Sequence, residues 1–305
     1  MTIKTASVGV DVDSLHHYYR IHGLEESRAS NAAWDVGVAR FLDLFDELGI
    51  KATFYCIGED LDLGDNRKRI REVADLGHEI GNHSLNHRYD LTRLSRDAMF
   101  DEVARCKAIL SEAAGVDVVG FRSPGYNTNR QLIDVVEQSG HSYDTSVFPC
   151  TPYFVAKASV MAWLTARGKP SKSILGTPKV LVAPRQPYRM SPRSPYRRSS
   201  EGLLQFPISV FTGYPLIGTA FTALGRASST LITQAATKFQ SHMTLEFHAV
   251  DLLGLAEDGL DGRLAVQPDL RVNVTRKKNI FKHVLSAVSE SHQFVRLDHL
   301  SSRFV

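Results

Sequence analysis

Residues 6–14 read ASVGVDVDS, and this stretch decides the first element of the fold. The apolar run at 8–10 predicts a buried strand over 6–11 that leads straight into Asp11 and Asp13. Residues i and i+2 of a strand lie on the same side, so the two carboxylates reach one place. Burying two like charges is costly unless something compensates them. The pair could hold a metal, carry out phosphoryl transfer as nucleophile and acid, or cap the next helix.

Strand-like and helix-like segments alternate on either side of a basic stretch. The first half predicts strands at 6–11, 52–57, 78–82, 117–121 and 142–146, and helices at 35–49, 95–115 and 127–140. The alternation resumes with strands at 202–210, 242–250 and 292–297 and helices near 227–240 and 276–290. Candidate helix ends include a Ser95 N-cap and glycines at positions 49, 115 and 140. This alternation predicts βαβ units and a parallel sheet.

The fold class is therefore α/β, and we predict a single domain over 1–305. We expect a distorted (β/α) barrel of about seven or eight strands, with a doubly wound open sheet as the alternative. A large basic insertion at about 150–202 interrupts it. Within the insertion, 152–168 has the pattern of an apolar helix, and 183–200 contains four prolines and is predicted to be a loop.

The charge of the chain is unevenly distributed. The formal net charge is +3, but residues 145–245 contain twelve lysines and arginines and a single acid, Glu201. This segment alone therefore carries about +11. Such an imbalance suggests an anionic partner, which could be a lipid surface, a phosphate-bearing substrate or an acidic polymer. We do not expect nucleic acid as the partner, and the oligomeric state stays open.

Composition narrows the class of protein. The chain has 305 residues, of which 43% are hydrophobic and 23% charged, as in an ordinary globular protein with a full core. Its three cysteines are too few and too scattered for a disulfide framework or a cysteine-based metal site. The first ten residues lack the pattern of a secretory signal, and no run of about 18 apolar residues predicts a spanning helix. We expect a cytoplasmic protein, with peripheral contact at the inner membrane face as an option.

Chemically useful side chains follow several of the predicted strands. They are Asp11 and Asp13 after the first strand, His83 and His87 after the third, Arg122 after the fourth, Asp144 at the fifth and His248 at the penultimate strand. Active sites of barrels and parallel sheets lie at the carboxyl ends of the strands. We therefore expect these seven side chains to share one rim.

The histidine pair points to a metal. If residues 83–87 form a helical turn, His83 and His87 at i and i+4 can both face one ion. Two imidazoles and one carboxylate, which Asp13 can supply, are the ligand set of catalytic zinc or iron sites. Asp11 then stays free as a general base.

At this point the motifs resemble those of the polysaccharide deacetylases with a NodB homology domain, carbohydrate esterase family 4. "HSLNH" at 83–87 matches the family's second motif without change, "RSPGY" at 122–126 matches the third, and "LEFH" at 245–248 matches the fifth. "DTS" at 144–146 matches the fourth loosely. The first motif, "GVDVDS" at 9–14, departs from the family because its aspartates are separated by one residue. In this it resembles the deformylases of lipid-linked aminoarabinose.

The resemblance implies a distorted barrel that removes an N-acyl group, acetyl or formyl, from an amino sugar. Asp13, His83 and His87 would hold one divalent metal, usually zinc in such enzymes. Asp11 would accept a proton from water, and Arg122 would keep Asp11 ionised and oriented.

It also implies that His248 would protonate the leaving amine and that Asp144 would raise the pKa of His248. A backbone N–H near Tyr126 would help to stabilise the oxyanion. Tyr126 and Pro124 are candidates for substrate contact, although Pro124 also suits a turn.

Three other classes remain open. An Asp-x-Asp after an N-terminal strand also begins the haloacid-dehalogenase phosphatases, but that assignment leaves "HSLNH" and "FRSPGY" unused. Glycosyltransferases carry an Asp-x-Asp after a nucleotide-binding half. An Asp-x-Asp that starts at position 11 leaves no room for such a half before it. A catalytically inactive barrel that only binds glycans is the third.

The basic segment bears on the substrate, which is an amino-sugar glycan or a lipid-linked saccharide. Basic amphipathic segments lie on anionic membranes, so 150–200 is a candidate membrane contact. The alternatives are that this segment covers the barrel or contacts another subunit. The cluster His16, His17 and His22 lines the cleft or lies on a solvated loop.

Overall fold

The computed structural model describes residues 3–25, 30–166 and 173–304. Its strands are β1 (Thr5–Val12), β2 (Thr53–Cys56), β3 (Glu79–Asn82), β4 (Gly120–Phe121), β5 (Tyr143–Asp144), β6 (Tyr188–Ser191), β7 (Ser194–Ser199), β8 (Leu204–Gln205), β9 (Val210–Phe211), β10 (Tyr214–Pro215), β11 (His242–His248) and β12 (Gln293–Phe294).

Its α-helices are α1 (Leu15–His22), α2 (Ala39–Leu48), α3 (Asn66–Asp75), α4 (Arg96–Ala114), α5 (Arg130–Gln138), α6 (Thr151–Ala166), α7 (Gly218–Leu224), α8 (Arg226–Phe239), α9 (Val274–Ser289) and α10 (Leu297–Ser301). A π-helical stretch, Ala33–Val38, precedes α2.

The main sheet has the strand order β11-β1-β2-β3-β4-β5-β8-β6-β7, and β12 also pairs with β1. All pairs from β11 through β8 are parallel. The sheet curls on itself, because the N–H of Ser209, beyond β8, donates to the carbonyl of Thr244 in β11 at 2.9 Å. The predicted distorted (β/α) barrel is confirmed.

Helix ends follow the local chemistry of the sequence. Ser95 caps α4 by accepting a hydrogen bond from the N–H of Ala98, and Gly115 ends it at a φ of 67°. The predicted helix at 127–140 begins later than expected, because Asn129 accepts a hydrogen bond from the N–H of Leu132 and so provides the N-cap.

Aromatic residues join the helices to the sheet. The ring of Phe247 in β11 lies 5.6 Å from Phe41 of α2 and 4.9 Å from Phe281 of α9. All three side chains are fully buried. Burying such a side chain contributes roughly 1.5–3 kcal/mol, so this packing fixes β11 and the groups at its end.

The prediction of a loop at 183–200 is wrong, because β6 and β7 form an antiparallel hairpin there. Two features reconcile the prolines with the strands. Pro192 lies in the turn between them, and Pro195 lies in β7, the last strand of the sheet order, where a missing N–H costs no ladder bond. The phenol of Tyr188 holds the hairpin by donating to the carbonyl of Pro195 at 2.5 Å.

The apolar helix predicted at 152–168 is α6, which is described over Thr151–Ala166. Three of the bases counted in the basic segment, Arg167, Lys169 and Lys172, lie outside the described residues. Among the helices that the structure describes, none has the length and apolar character needed to cross a membrane.

Candidate metal and acid–base site

The register of the sheet brings both ends of the sequence to one place. Asp11 of β1 lies directly opposite His248 of the parallel neighbour β11, and Gly9 lies opposite Glu246. Because side chains alternate along a strand, Asp11, Glu246 and His248 face the same side as Gly9. The carboxyl ends of β1 and β11 therefore share one site.

Asp11 is paired with Arg122. The guanidinium donates to Oδ1 of Asp11 at 2.5 Å and to Oγ1 of Thr145 at 2.7 Å, and it stacks 4.1 Å from the centre of the Tyr55 ring. Burial opposes ionisation of Asp11, but the charge of Arg122, with help from nearby histidines, outweighs burial and holds the pKa of Asp11 below its ordinary value. The contact predicted between Arg122 and Asp11 is present.

Gly9 makes room for this pair. A Cβ atom at position 9 would lie 2.6 Å from Nη2 and 2.9 Å from Nη1 of Arg122. Only glycine therefore allows the guanidinium to cross β1 and reach Asp11.

Asp13, His83 and His87 form a separate cluster beside this pair. The Nε2 atoms of His83 and His87 each lie 3.6 Å from Oδ1 of Asp13. That oxygen is buried and has no hydrogen-bond partner among the described residues. Nδ1 of His83 lies 2.7 Å from the carbonyl of Arg122 and donates its proton to it. This contact fixes the tautomer and leaves the lone pair of Nε2 able to bind an ion.

The ionisation of this cluster suits a cation. Burial raises the pKa of Asp13 to about 8, with the Asp11 charge adding to the shift and His248 opposing it. Burial lowers the pKa of His83 to about 4 and also lowers that of His87. Neutral imidazoles and a carboxylate without a partner fit a divalent metal, whose charge would compensate the buried Asp13.

The two histidines do not lie on a helical turn, so that part of the prediction is wrong. Residues 83–87 form a loop in which Ser84 and His87 have φ values of 69° and 48°. Hydrogen bonds fix the loop, since Oδ1 of Asn82 accepts from the N–H of Ser84 at 2.8 Å. A positive φ at a non-glycine residue costs free energy, so this strain is held by the surrounding packing.

His248 has a carboxylate partner of its own. Its Nδ1 lies 2.9 Å from Oε1 of Glu246, and the Glu246 side chain is fully buried. Burial lowers the pKa of His248, but the nearby charge of Glu246, together with those of Asp11 and Asp13, raises it well above its ordinary value. At neutral pH His248 is therefore protonated and can donate a proton.

The hydrogen bonds described for Asp144 are with residues other than His248, so its effect on the pKa of His248 stays a prediction. Its oxygens accept hydrogen bonds from Ser146 and from Nε2 of Gln205. Burial raises the pKa of Asp144 to about 6, and these hydrogen bonds oppose the rise. The carboxyl group thus orders the β5 loop, whose Ser146 hydroxyl accepts from the N–H of Ser123.

Sequence reasoning missed Glu246, although a signal was available. It stands two residues before His248 on the same strand. The alternation that placed Asp11 and Asp13 on one side would have placed Glu246 beside His248 as well.

A cavity of about 430 Å³ opens above these groups. Its polar floor includes Asp11, Asp13 and His248, while Tyr126 and residues of α6 form part of its wall. Pro124 is buried in the turn Pro124–Tyr126 and is not part of the lining.

Two other expectations are tested by the surroundings of the cavity. The N–H of Tyr126 itself donates to the carbonyl of Ser123 at 3.0 Å, so it is not directed at an oxyanion. The cluster at 16–22 forms α1 and is not a solvated loop. His16 and His17 are buried, and His22 lines the cavity.

A family profile described as polysaccharide deacetylase matches residues 31–143. Over these residues the chain is similar to the polysaccharide deacetylase family. It is 31% identical over 126 residues to a peptidoglycan deacetylase-like protein of Gibberella zeae, a match that covers 41% of this chain and 36% of that protein. It is 24% identical over 153 residues to a peptidoglycan deacetylase of Helicobacter pylori, covering 48% and 51%. The matches thus span about a third to a half of these relatives.

Solved structures of deacetylases and related proteins share the fold. A candidate polysaccharide deacetylase from Mycobacterium smegmatis aligns with a TM-score of 0.61 and 18% identity, covering 99% of this chain and 90% of that one. A carbohydrate esterase family 4 pseudoenzyme from Bacillus anthracis aligns with a TM-score of 0.51 and 11% identity, covering 98% and 66%. At these identities the similarity concerns the fold alone.

Proposed function

We propose that the chain is a metal-dependent hydrolase that removes an N-acyl group from an amino sugar. The observation that supports this proposal most strongly is that the two aspartates have different partners. Asp11 is held ionised by Arg122, whereas Asp13 turns an unpartnered oxygen toward His83 and His87. A base and a metal ligand therefore lie side by side, as amide hydrolysis requires.

Asp13, His83 and His87 would hold the metal, for which zinc suits the donor set. A divalent ion there would supply Lewis-acid polarisation of the acyl oxygen and a nucleophile at neutral pH. Asp11 accepts the proton of the attacking water on its carboxylate, and Arg122 keeps that carboxylate ionised and oriented.

His248 completes the reaction as the acid. Glu246 holds the proton on Nδ1, so Nε2 of the imidazolium is the atom that donates to the leaving amine. Because Asp11 titrates below its ordinary value and His248 above it, base and acid are both in their working forms at neutral pH.

The test uses purified protein reconstituted with zinc and an N-acetylglucosamine oligomer as the probe. Asp11→Asn should abolish acetate release and leave bound zinc unchanged, whereas His83→Ala should lose the zinc. Asp43→Asn, at an exposed position of α2, is the matched control and should change neither. Retention of most activity by Asp11→Asn would show that the assignment of the base is wrong.

The second candidate function is that of a barrel that binds glycans without catalysis. A pseudoenzyme with a similar fold is the reason to test this alternative. The intact pairs Asp11–Arg122 and Glu246–His248 favour the enzyme. Binding of the oligomer without acetate release by the zinc-loaded wild type, on acetylated and formylated probes alike, would favour the binding protein.

For the substrate we propose a lipid-linked amino sugar met at an anionic membrane. Helix α6 supports this proposal because it lines the cavity yet leaves Val155, Val160 and Trp163 between 53% and 55% exposed. Apolar and aromatic side chains next to basic residues are typical of interfacial segments.

Vesicle co-sedimentation tests the membrane contact. Wild-type protein should bind anionic vesicles, and neutralising the exposed Arg193, Arg197 and Arg198 should weaken binding. No binding to anionic vesicles would instead favour a soluble glycan. We also infer that 1–305 act as one domain, because β6 from the basic segment pairs with β8 of the barrel sheet.

A further inference from the structure

A second group of histidines and carboxylates lies outside the acid–base site. We call it the His16–Asp60 cluster, and it consists of His16, His17, Glu59 and Asp60. The histidines open α1, and the carboxylates open the 3-10 turn that follows β2. His16, His17 and Asp60 are more than nine-tenths buried, and Glu59 is partly exposed.

The donor atoms of this cluster have the spacing of a coordination shell. Oδ1 of Asp60 lies 3.0 Å from Nε2 of His17 and 3.6 Å from Nε2 of His16, and Oε1 of Glu59 lies 3.9 and 3.7 Å from the same nitrogens. Ligands about 2.1 Å from a tetrahedral zinc ion stand roughly 3.4 Å apart. The corresponding distances around Asp13 are both 3.6 Å.

Hydrogen bonding explains only part of this arrangement. The contact between His17 and Asp60 is an ordinary hydrogen bond. Nε2 of His16, however, points at two carboxylate oxygens from distances too long for hydrogen bonds. A buried imidazole placed between two carboxylates at these distances is what an ion at their centre would explain.

The groups around the cluster suit a metal site. The N–H of Ser14 donates to Oδ2 of Asp60 at 3.2 Å, and Nη1 of Arg20 donates to Oε1 of Glu59 at 3.3 Å. Such bonds orient ligating carboxylates and leave Oδ1 of Asp60 directed inward. Arg20 also limits the negative charge of the group.

We propose that the His16–Asp60 cluster binds a second divalent metal ion, with zinc as the best match to two imidazoles and two carboxylates. All four positions are taken by protein ligands, as in structural zinc sites. The ion ties α1 to the end of β2. Since the ring of His17 packs 4.7 Å from that of His87, it also supports one of the ligands assigned to the first metal.

The experiment counts zinc in the full chain after equilibrium dialysis against ZnCl₂, using elemental analysis by mass spectrometry. We expect two zinc ions per chain in the wild type and one in His16→Ala. His83→Ala should also retain one, and the double variant should retain none. His22→Ala, on the same helix but outside the cluster, is the control and should retain two.

A milder variant provides a second test in case His16→Ala does not fold. Glu59→Gln keeps the shape of the side chain and should weaken binding of the second zinc at least tenfold in calorimetric titration. A wild-type chain that binds one zinc, lost in His83→Ala and kept in His16→Ala, would overturn this proposal and leave the proposed deacylation intact. A single zinc lost only in His16→Ala would support the cluster and contradict the catalytic metal site.

Discussion

The carboxylate partner of His248, the proposed catalytic acid, can be tested by a single isosteric change. Glu246→Gln keeps the buried side-chain volume but removes the charge that lies 2.9 Å from Nδ1 of His248. The charged form of His248 then loses its nearest counter-ion, while the burial that disfavours this form remains. The pKa of His248 should therefore fall from its raised value toward or below the ordinary range.

The size of the change follows from the geometry of the pair. An opposite charge within about 4–6 Å shifts a pKa by roughly 1–3 units. Glu246 is closer than that and fully buried, but the side chain of His248 is 25% exposed and partly screened, so we expect about 2 units. This shift corresponds to about 2.7 kcal/mol of preference for the protonated imidazole.

The assay is an NMR titration of the histidine Cε1–Hε1 signals in zinc-loaded protein, with His248→Asn to assign the resonance. Asp144→Asn is the matched control, because it removes the carboxylate that the sequence suggested and should leave the pKa of His248 unchanged. In the proposed mechanism, the proton donor is present below the pKa of His248 and lost as pH rises through it. The alkaline limb of acetate release should thus move down by the same amount in Glu246→Gln. An unchanged pKa in Glu246→Gln, or a fall in Asp144→Asn, would refute the reasoning.

Three further substitutions probe the support of the site. Arg122→Met leaves Asp11 buried without its counter-ion, so urea unfolding should show a loss of about 3–5 kcal/mol and the acid limb of the pH–rate profile should move up. Gly9→Ala places a Cβ 2.6 Å from the same guanidinium. We expect the free energy of unfolding to fall by about 1–3 kcal/mol and acetate release to fall strongly. Wild-type values for both quantities would contradict the packing argument. Leu110→Ala, in the fully buried face of α4, should cost about 2–5 kcal/mol in unfolding and leave zinc content unchanged, so loss of zinc would show that the site depends on this helix.

The parts of the fold that depend on local chemistry could be predicted. Gly49 ends α2 at a φ of 64°, Gly115 ends α4, and the apolar run before Asp11 forms the central strand β1. Each of these outcomes depends on residues within one turn or strand. The hairpin at 183–200 could not be predicted in this way, since its prolines are tolerated only because β7 has a free edge.

In the candidate site, too, some features could be predicted from the sequence and others depended on tertiary contacts. The contact between Arg122 and Asp11 was expected from the resemblance, and spacing alone placed Asp11 and Asp13 at one strand end. The loop form of 83–87 depended on contacts from other elements, such as the bond from the N–H of Leu85 to the carbonyl of Glu102 in α4.

By itself, the sequence of this protein determined the order of the main parallel strands and the kinds of side chain that follow several of them. It placed "VDVDS" at the end of the first strand, because alternation and apolar runs act over a few residues. Only the tertiary structure decided which carboxylate lies beside which positively charged side chain. Parallel pairing of β1 with β11 set the pair Glu246 and His248 beside Asp11, and this pairing is decided by contacts more than 230 residues apart in the chain.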